Sequence, residues 1–183
     1  MDSTTRCPTV FPAPPGMGAS FNLTLAHSMG VTIGDEARAM NNMHGCRARG
    51  GGGCGMGNGN WYIGLNVWVP NLNIYRDPRW GRNIEVPSED PWHSGEYGTA
   101  VVNGVQWAGP GGAPPSTSGK RYTKMNAALK HFFAYSVESG RGSTNFNISQ
   151  HDIYDTYLPS CKITSNQDNL DYDRTFFSEM NCL

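Results

Sequence analysis

The sequence predicts an α/β protein with a parallel sheet, and three observations lead to this class. Apolar strand candidates alternate along the chain with amphipathic helical segments, an order that favours right-handed βαβ units. Two clusters of charged residues follow strand candidates, at the end where an α/β barrel or an open α/β sheet builds its site. The 23 glycines and 12 prolines among 183 residues argue against a coiled coil or a helical repeat array.

The first element is a helix that follows a loop rich in proline and glycine at residues 8–18. Ser20 or Asn22 can cap this helix, which we expect to run to about Met43. Its apolar residues recur at spacings of three and four, which places them on one face and predicts that this face packs on a core. They are Leu25, Met29, Ile33, Ala37 and Met40.

Residues 50–60 are almost all glycine and asparagine, and we expect a loop there because glycine loses much backbone freedom on ordering. Gly50, Gly52 and Gly55 match the pattern G-x-G-x-x-G. A phosphate cradle requires a strand before that pattern and a helix after it, and this stretch has neither. A nucleotide-binding α/β domain is therefore the weakest of the functions we compare.

The cysteines give no metal signature. The five cysteines are Cys7, Cys46, Cys54, Cys161 and Cys182. Because their number is odd, at least one stays unpaired if the others form disulfides. His44, Cys46 and Cys54 lack the paired spacing that a tetrahedral zinc site requires. We predict ordinary loop residues or a local disulfide at these three positions, and no metal.

The central part of the chain predicts a strand, a charged loop and a helix. Residues 65–70 are apolar and β-branched and predict a buried strand. Residues 71–91 carry charges among aromatics and prolines without periodicity, which is typical of a functional loop. A helix is expected from about Trp92 to Trp107, followed by a loop at residues 109–119.

The last part of the chain predicts a second strand and a second helix. Residues 125–133 are mostly apolar and are interrupted near their end by Lys130 and His131. Residues 149–158 predict a helix capped by Ser149, with Asp152 near its positive end.

Three carboxylates offer candidates for catalysis. Glu85, Glu89 and Asp90 suit glycoside hydrolysis, which needs two acids held about 5 to 9 Å apart. Glu89 and Asp90, however, stand just before Pro91 and the helix that begins there. Carboxylates at that place satisfy free N–H groups and interact with the helix dipole, so capping is the favoured role for these two.

Cationic side chains form the second set of candidates. Adjacent side chains of a regular strand point to opposite faces, so Lys130 and His131 need a partner or a ligand if they are buried. An exposed strand end explains the pair equally well. Internal salt bridges can pin the preceding loop, and a guanidinium left over could donate a fork of hydrogen bonds to sugar hydroxyls. The residues concerned are Arg76, Asp77, Arg79 and Arg82.

The charge balance excludes some classes of partner. Fourteen Lys and Arg against fifteen Asp and Glu give a net charge of −1, so no overall field attracts nucleic acid or an anionic membrane. The sequence has no apolar run of about 18 residues, so we predict no membrane span. Residues 1–15 lack the basic and apolar regions of a readable signal peptide. Two sequons, at Asn22 and Asn147, permit glycosylation if the protein is secreted.

Four segments resemble one known family. Residues 73–82 (NIYRDPRWGR) and 85–91 (EVPSEDP) resemble the signature loop of the N-terminal barrel of glycoside hydrolase family 3. Residues 130–138 resemble the Lys-His strand end of the family, and residues 152–159 (DIYDTYLP) resemble the helix after it. The resemblance covers roughly residues 11–159 and is greatest to the β-xylosidase and plant or fungal exo-glycosidase branch.

The resemblance implies a partial (β/α)8 TIM-type barrel over residues 1–161, with a tail without family resemblance at 162–183. It implies an extracellular parent enzyme that needs no cofactor. That enzyme would hydrolyse terminal non-reducing β-glycosidic bonds of oligosaccharides or aryl glycosides by a retaining two-carboxylate mechanism, with xylo-oligosaccharides favoured over β-glucosides. By motif, Arg82, Lys130 and His131 would hydrogen-bond the hydroxyls of the terminal sugar. Apolar faces for the sugar could come from Trp68, Tyr75 and Trp80, with a core role equally open for Trp68.

The sequence also departs from the family. The family nucleophile is an Asp in a Ser-Asp motif, and the 183 residues contain no Ser-Asp pair. The acid/base Glu of the family lies in a further domain, and an early Asp-containing sugar-binding motif is expected before Phe11 but is missing. We therefore assign no catalytic residue and expect an inactive part of a longer enzyme. A non-catalytic sugar-binding module is the alternative.

Overall fold

The computed structural model describes residues 8–44, 64–107 and 123–165. Within them helices alternate with strands, as predicted. The elements are α1 (Pro14–Gly18), α2 (Leu23–His44), β1 (Asn66–Val67), a 3₁₀ turn (Asn83–Glu85), α3 (Pro91–Gln106), β2 (Asn126–Ala127), α4 (Gln150–Asp152), a π-helical turn (Ile153–Tyr157) and α5 (Pro159–Ser165). No described helix is both long enough and apolar enough to cross a membrane.

Several predicted features lie outside the described residues. They are the loops at 50–60 and 109–119, the glycine pattern at Gly50, Gly52 and Gly55, and the side chains of His44, Cys46 and Cys54. Among the described residues, Cys161 on α5 is disulfide-bonded.

The two strands form the predicted parallel pair, with Asn66 opposite Asn126 and Val67 opposite Ala127. An isolated parallel bridge joins Asn71 to Lys130, so the register slips by one residue between the two pairings. Such an extra residue is a bulge, which bends a strand and re-aims the side chains that follow. The regular ladder is therefore much shorter than the two apolar runs predicted as strands.

The prediction that residues 65–70 form a buried strand is wrong at Trp68, whose exposure is 67%. A core role for this side chain is wrong for the same reason. Leu65 and Val67 are partly buried and pack on the core, because they lie on the face of β1 opposite to Asn66 and Trp68.

Helix α2 packs on α3 through small residues. A Cβ atom added to Gly30 would lie 2.6 Å from the carbonyl oxygen of Val101, and one added to Gly104 would clash with the carbonyl oxygen of His27. The buried face of α2 is therefore formed by Ala26, Gly30 and Gly34. The predicted apolar face is wrong in part, because close backbone approach leaves larger side chains at the edges of the contact. Met29, Ile33 and Ala37 are partly buried there, and Leu25 is exposed.

The predicted helix caps are confirmed. Asn22 Oδ1 accepts a hydrogen bond of 3.0 Å from the Leu25 N–H at the start of α2. Asp90 Oδ1 accepts one of 2.9 Å from the His93 N–H at the start of α3. Each cap satisfies an N–H group that the first helical turn leaves without an intrahelical partner.

The last helix begins as predicted, with Ser149 Oγ accepting a hydrogen bond of 3.0 Å from the Asp152 N–H. It does not end at Leu158. The Leu158 N–H donates to the carbonyl oxygen of Ile153, which widens the helix into a π turn, and Pro159 then starts α5. Proline has no N–H to donate, so it breaks the preceding hydrogen-bond pattern and suits the first position of the next helix.

The core lies between α2, α3 and the parallel strands. Apolar side chains from these elements, together with Met17 of α1, make one cluster. Its other members are Ala26, Leu72, Tyr97, Val101, Val102, Val105, Met125, Ala127 and Leu129. Leu72 and Leu129 stand immediately before Asn73 and Lys130 in the chain. The packed core therefore fixes the backbone at the carboxyl ends of both strands, where the charged residues begin.

Candidate functional site

The cationic residues predicted at two different strand ends converge on the carboxylate of Glu85. Arg82 donates from Nε to Oε1 and from Nη2 to Oε2, each over 2.7 Å. Lys130 Nζ lies 3.3 Å from Oε2. The 3₁₀ turn Asn83–Glu85 brings Arg82 and Glu85 together, because residues three apart align on one side of such a turn.

This pairing fixes the charge of Glu85. The hydrogen bonds from Arg82 and then from Lys130 lower the pKa of Glu85 from its ordinary value of 4.5 to about 2, although burial acts in the opposite direction. The carboxylate is therefore ionised at neutral pH. A general acid must carry a proton at the working pH, so Glu85 serves here as an anionic anchor and hydrogen-bond acceptor.

His131 stands beside this cluster as a neutral imidazole. Burial, followed by the positive charges of Arg82 and Lys130, lowers the pKa of His131 below its ordinary value of 6.5. Its ring contacts the edge of Tyr135, with centroids 4.9 Å apart. Its Nδ1 atom is buried without a hydrogen-bond partner among the described residues, and so has unused capacity for a hydroxyl group.

Two asparagines complete the site, and sequence reasoning gave neither a role of its own. Asn73 Nδ2 donates to the carbonyl oxygen of His131 over 3.1 Å, and its Oδ1 accepts from the His131 N–H over 2.9 Å. Asn71 Oδ1 accepts from the Asn73 N–H over 3.0 Å. The sequence signal was a pair of amide side chains two positions apart at a strand end, a spacing that places both on one face.

Tyr135 joins Arg82 to a second guanidinium. Its hydroxyl oxygen accepts hydrogen bonds of 3.2 Å from Arg82 Nη1 and 2.8 Å from Arg141 Nη1. Both guanidinium carbons also lie near its ring centroid, at 5.2 and 5.5 Å. Arg82 is therefore held on three of its nitrogens, and the sequence-based idea of a guanidinium left over does not fit it.

The aromatic residues predicted as sugar platforms have different surroundings. Trp80 is buried and meets the Tyr135 ring edge-on, with centroids 5.5 Å apart. Tyr75 is half-buried, and burial raises the pKa of its hydroxyl. Trp68 is exposed. Trp80 thus packs against Tyr135, and its buried ring presents no open face to a ligand.

The remaining charged residues of the loop either make structural contacts or are exposed. Asp77 Oδ1 accepts from Arg79 Nε over 2.9 Å, which confirms the predicted internal salt bridge. Arg76 lies over the Tyr157 ring, 5.4 Å from its centroid. Asp90 caps α3, as predicted, and Glu89 is exposed.

An open cavity of about 330 Å³ adjoins the cluster. Its polar side is formed by Asn71, Glu85 and Lys130, and its apolar side includes Phe11 and Ile84. A small neutral ligand with both hydroxyl groups and apolar ring faces suits such a lining. No group of three or more metal-ligating side chains occurs within the described residues.

The parallel strands, the helices packed on them and the polar cluster at the strand ends define an α/β protein with a candidate site for a small polar ligand. Residues 53–170 match the family model described as "Glycosyl hydrolase family 3 N terminal domain". The chain belongs to glycoside hydrolase family 3.

Curated relatives carry xylosidase names. The chain is 36% identical over 165 residues to "Beta-xylosidase/alpha-L-arabinofuranosidase 2" of Medicago sativa subsp. varia, covering 86% of this chain and 18% of the relative. It is 32% identical over 177 residues to a "Probable exo-1,4-beta-xylosidase" of Aspergillus terreus, covering 94% of this chain and 20% of the relative. The chain thus spans about a fifth of the length of these proteins.

Solved structures agree with this assignment. A "GH3 exo-beta-xylosidase (XlnD)" in complex with a xylobiose aziridine probe matches with a TM-score of 0.65 and 29% identity, over 85% of this chain and 17% of that chain. The β-glucosidase 3B of Thermotoga neapolitana, in complex with α-D-glucose, matches with a TM-score of 0.61 and 25% identity, over 90% of this chain and 18% of that chain. These likenesses imply a TIM-barrel-like α/β fold, which confirms the α/β class predicted from the sequence.

Proposed function

We propose that this chain supplies the sugar-binding part of an exo-acting family 3 glycosidase that hydrolyses terminal non-reducing β-glycosidic bonds. The observation that carries the proposal is the convergence of Arg82 and Lys130 on Glu85, next to the neutral ring of His131. All of these residues stand where the two parallel strands end. In this proposal the chain contributes part of a (β/α)8 barrel.

The chemistry of the cluster suits a neutral sugar. A terminal sugar offers adjacent hydroxyl groups that both donate and accept hydrogen bonds. Lys130 presents ammonium donors, His131 can donate or accept, and the ionised Glu85 accepts only. Hydrogen bonds from charged groups are roughly twice as strong as neutral ones, and those that strengthen in an oxocarbenium-like transition state increase the rate.

Xylo-oligosaccharides are the favoured substrates, and β-glucosides are the alternative. The names of the curated relatives support the first, and the glucose complexes among the solved structures support the second. We infer that the parent enzyme acts outside the cell, in xylan catabolism, where such oligosaccharides arise.

A non-catalytic sugar-binding role is the second candidate for the chain on its own. The 183 residues contain no Ser-Asp pair to match the family nucleophile motif. Glu85 is an ionised partner of two cations and does not act as an acid. The isolated chain is therefore expected to bind a sugar without cleaving a glycosidic bond.

Titration of the 183-residue chain with xylobiose, followed by tryptophan fluorescence, tests the proposal. We expect saturable binding that Arg82→Ala weakens at least tenfold, because the substitution frees Glu85 to collapse onto Lys130. Arg79→Ala is the matched control, since Arg79 belongs to the same loop and its side chain is 88% exposed. Among the described residues its ion-pair partner is Asp77, which does not touch Glu85 or Lys130.

Hydrolysis of a nitrophenyl β-xyloside is measured in parallel. Turnover by the purified chain would overturn the binding-only role and place a nucleophile within these residues. Absence of xylobiose binding would contradict the sugar site itself. So would an equal loss of xylobiose affinity in Arg82→Ala and Arg79→Ala. Cellobiose in place of xylobiose separates the two substrate classes.

A further inference from the structure

Asn73 holds the backbone at the strand end that carries two of the proposed sugar-binding residues. Its side-chain amide donates to the carbonyl oxygen of His131 and accepts from the N–H of the same residue, over 3.1 and 2.9 Å. We propose that Asn73 is a positioning residue, which fixes Lys130 and His131 in the orientation that binds the terminal sugar. This inference rests on the proposed function.

The position of Asn73 follows from where the backbone ladder ends. The last main-chain bonds between the two strand segments are Lys130 N–H to Pro70 O and Leu72 N–H to Lys130 O. Beyond them, the amide of Asn73 presents one acceptor and one donor to His131, as a paired strand would. A side chain therefore extends the pairing by one residue, to the point where the functional side chains begin.

Asn73 is itself fixed on its other side. Its N–H donates to Asn71 Oδ1 over 3.0 Å, and its side chain is buried at 7% exposure. Two hydrogen bonds to the same residue, one donated and one accepted, restrict the rotation of this buried amide. Loss of the amide would leave the N–H and C=O of His131 unpaired and let the peptide move.

A purely structural role is the competing explanation, and Gln106 provides a matched control. Gln106 is also 7% exposed, and its Oε1 accepts from the N–H of Ala127 over 3.1 Å. Both amides therefore fasten the same strand segment, four residues apart. Of these two amides, Asn73 is the one that contacts His131, a proposed sugar-binding residue.

The experiment compares Asn73→Leu with Gln106→Met in the full 183-residue chain. Both variants are expected to lower the melting temperature, because each leaves a buried backbone group unpaired. Only Asn73→Leu should weaken xylobiose binding, by about tenfold, and speed hydrogen exchange of the His131 amide by about the same factor. Asn73→Asp retains the acceptor and loses the donor, so its xylobiose affinity and its His131 exchange rate should lie between those of wild type and Asn73→Leu. Asn73→Asp replaces Asn73→Leu if the latter does not fold.

Unchanged xylobiose affinity in the Asn73 variants, or an equal loss in Gln106→Met, would overturn the inference. If the wild-type chain does not bind xylobiose, the proposed function fails and the positioning role is decided by NMR titration of the His131 ring. Loss of the two hydrogen bonds from the Asn73 amide should then return the pKa of His131 towards its ordinary value in Asn73→Leu, and leave it depressed in Gln106→Met. In Asn73→Asp the new carboxylate raises this pKa by itself, so hydrogen exchange of the His131 amide is the readout for that variant. A His131 pKa that stays depressed in Asn73→Leu, or an unchanged exchange rate of the His131 amide in Asn73→Asp, would overturn the positioning role too.

Discussion

The guanidinium of Arg82 and the carboxylate of Glu85 face each other in a bidentate pair, with both N–O distances at 2.7 Å. Lys130, which belongs to the other strand segment, approaches the same carboxylate to 3.3 Å. One anion thus ties together two cations that are distant in sequence. The arrangement places the two cations side by side at the end of the parallel pair.

This relationship predicts how stability depends on pH. The folded-state pKa of Glu85 lies at about 2, below its ordinary 4.5, so the pair stabilises the fold above about pH 4.5 and the contribution is lost as pH falls through 2. Denaturant unfolding of wild type and Glu85→Gln between pH 7 and pH 2.5 measures it. The difference in free energy of unfolding between wild type and Glu85→Gln should be largest near neutral pH and should decrease towards low pH.

Asp77 also has a pKa of about 2, through its hydrogen bonds from Arg79, so Asp77→Asn serves as the control for the same pH range. Because the Arg79 side chain is 88% exposed, solvent screens this pair, and the unfolding free energy of Asp77→Asn should follow the wild-type curve more closely. A Glu85→Gln curve parallel to that of wild type over the whole range would show that the pair does not stabilise the fold.

Overpacking at the contact of α2 with α3 is expected to destabilise the chain. In Gly30→Val the new side chain would meet the carbonyl oxygen of Val101, and the free energy of unfolding should fall by about 1 to 3 kcal/mol. Ala39→Val inserts the same residue on the exposed side of the same helix, where only helix propensity changes, by about 0.7 kcal/mol or less. Equal stability losses in urea unfolding would mean that the two helices do not approach at Gly30.

Removal of the cap of α3 should cost about 1 kcal/mol. Asp90→Ala removes the acceptor for the His93 N–H, which then has no partner in the helix. The neighbouring exposed carboxylate provides the comparison, and Glu89→Ala should change the free energy of unfolding by less than about 0.5 kcal/mol. A larger loss in Glu89→Ala than in Asp90→Ala would exchange the roles of the two residues.

The hydroxyl of Tyr135 should contribute to holding Arg82. Tyr135→Phe keeps the ring and removes the acceptor for Arg82 and Arg141, which is expected to lower the free energy of unfolding by about 0.5 to 1.5 kcal/mol and to weaken xylobiose binding. Tyr154→Phe, at a ring that is 63% exposed, is the control and should leave both quantities unchanged. If Tyr135→Phe has the thermal stability and the xylobiose affinity of wild type, the hydroxyl group does not contribute to the site.

Local features of this chain were readable from the sequence. The caps at Asn22, Asp90 and Ser149 join a side chain to an N–H group three residues away, so residue type and short spacing are sufficient to find them. The α/β class followed in the same way from the alternation of apolar runs with helical periodicity. The motifs at residues 73–91 and 130–138 predicted the family, which the match over residues 53–170 confirms.

Long-range contacts required the folded chain. Glu85 meets Lys130 across 45 residues, and Asn73 meets His131 across 58. No local period encodes such a pairing, because it depends on how two strands align and on the bulge that shifts their register. The buried face of α2 is a similar case, since an apolar pattern marks large side chains and the close approach of two backbones selects glycine. The fold class and the types of residue in the site could thus be predicted from the sequence. The partner of each site residue depends on tertiary packing.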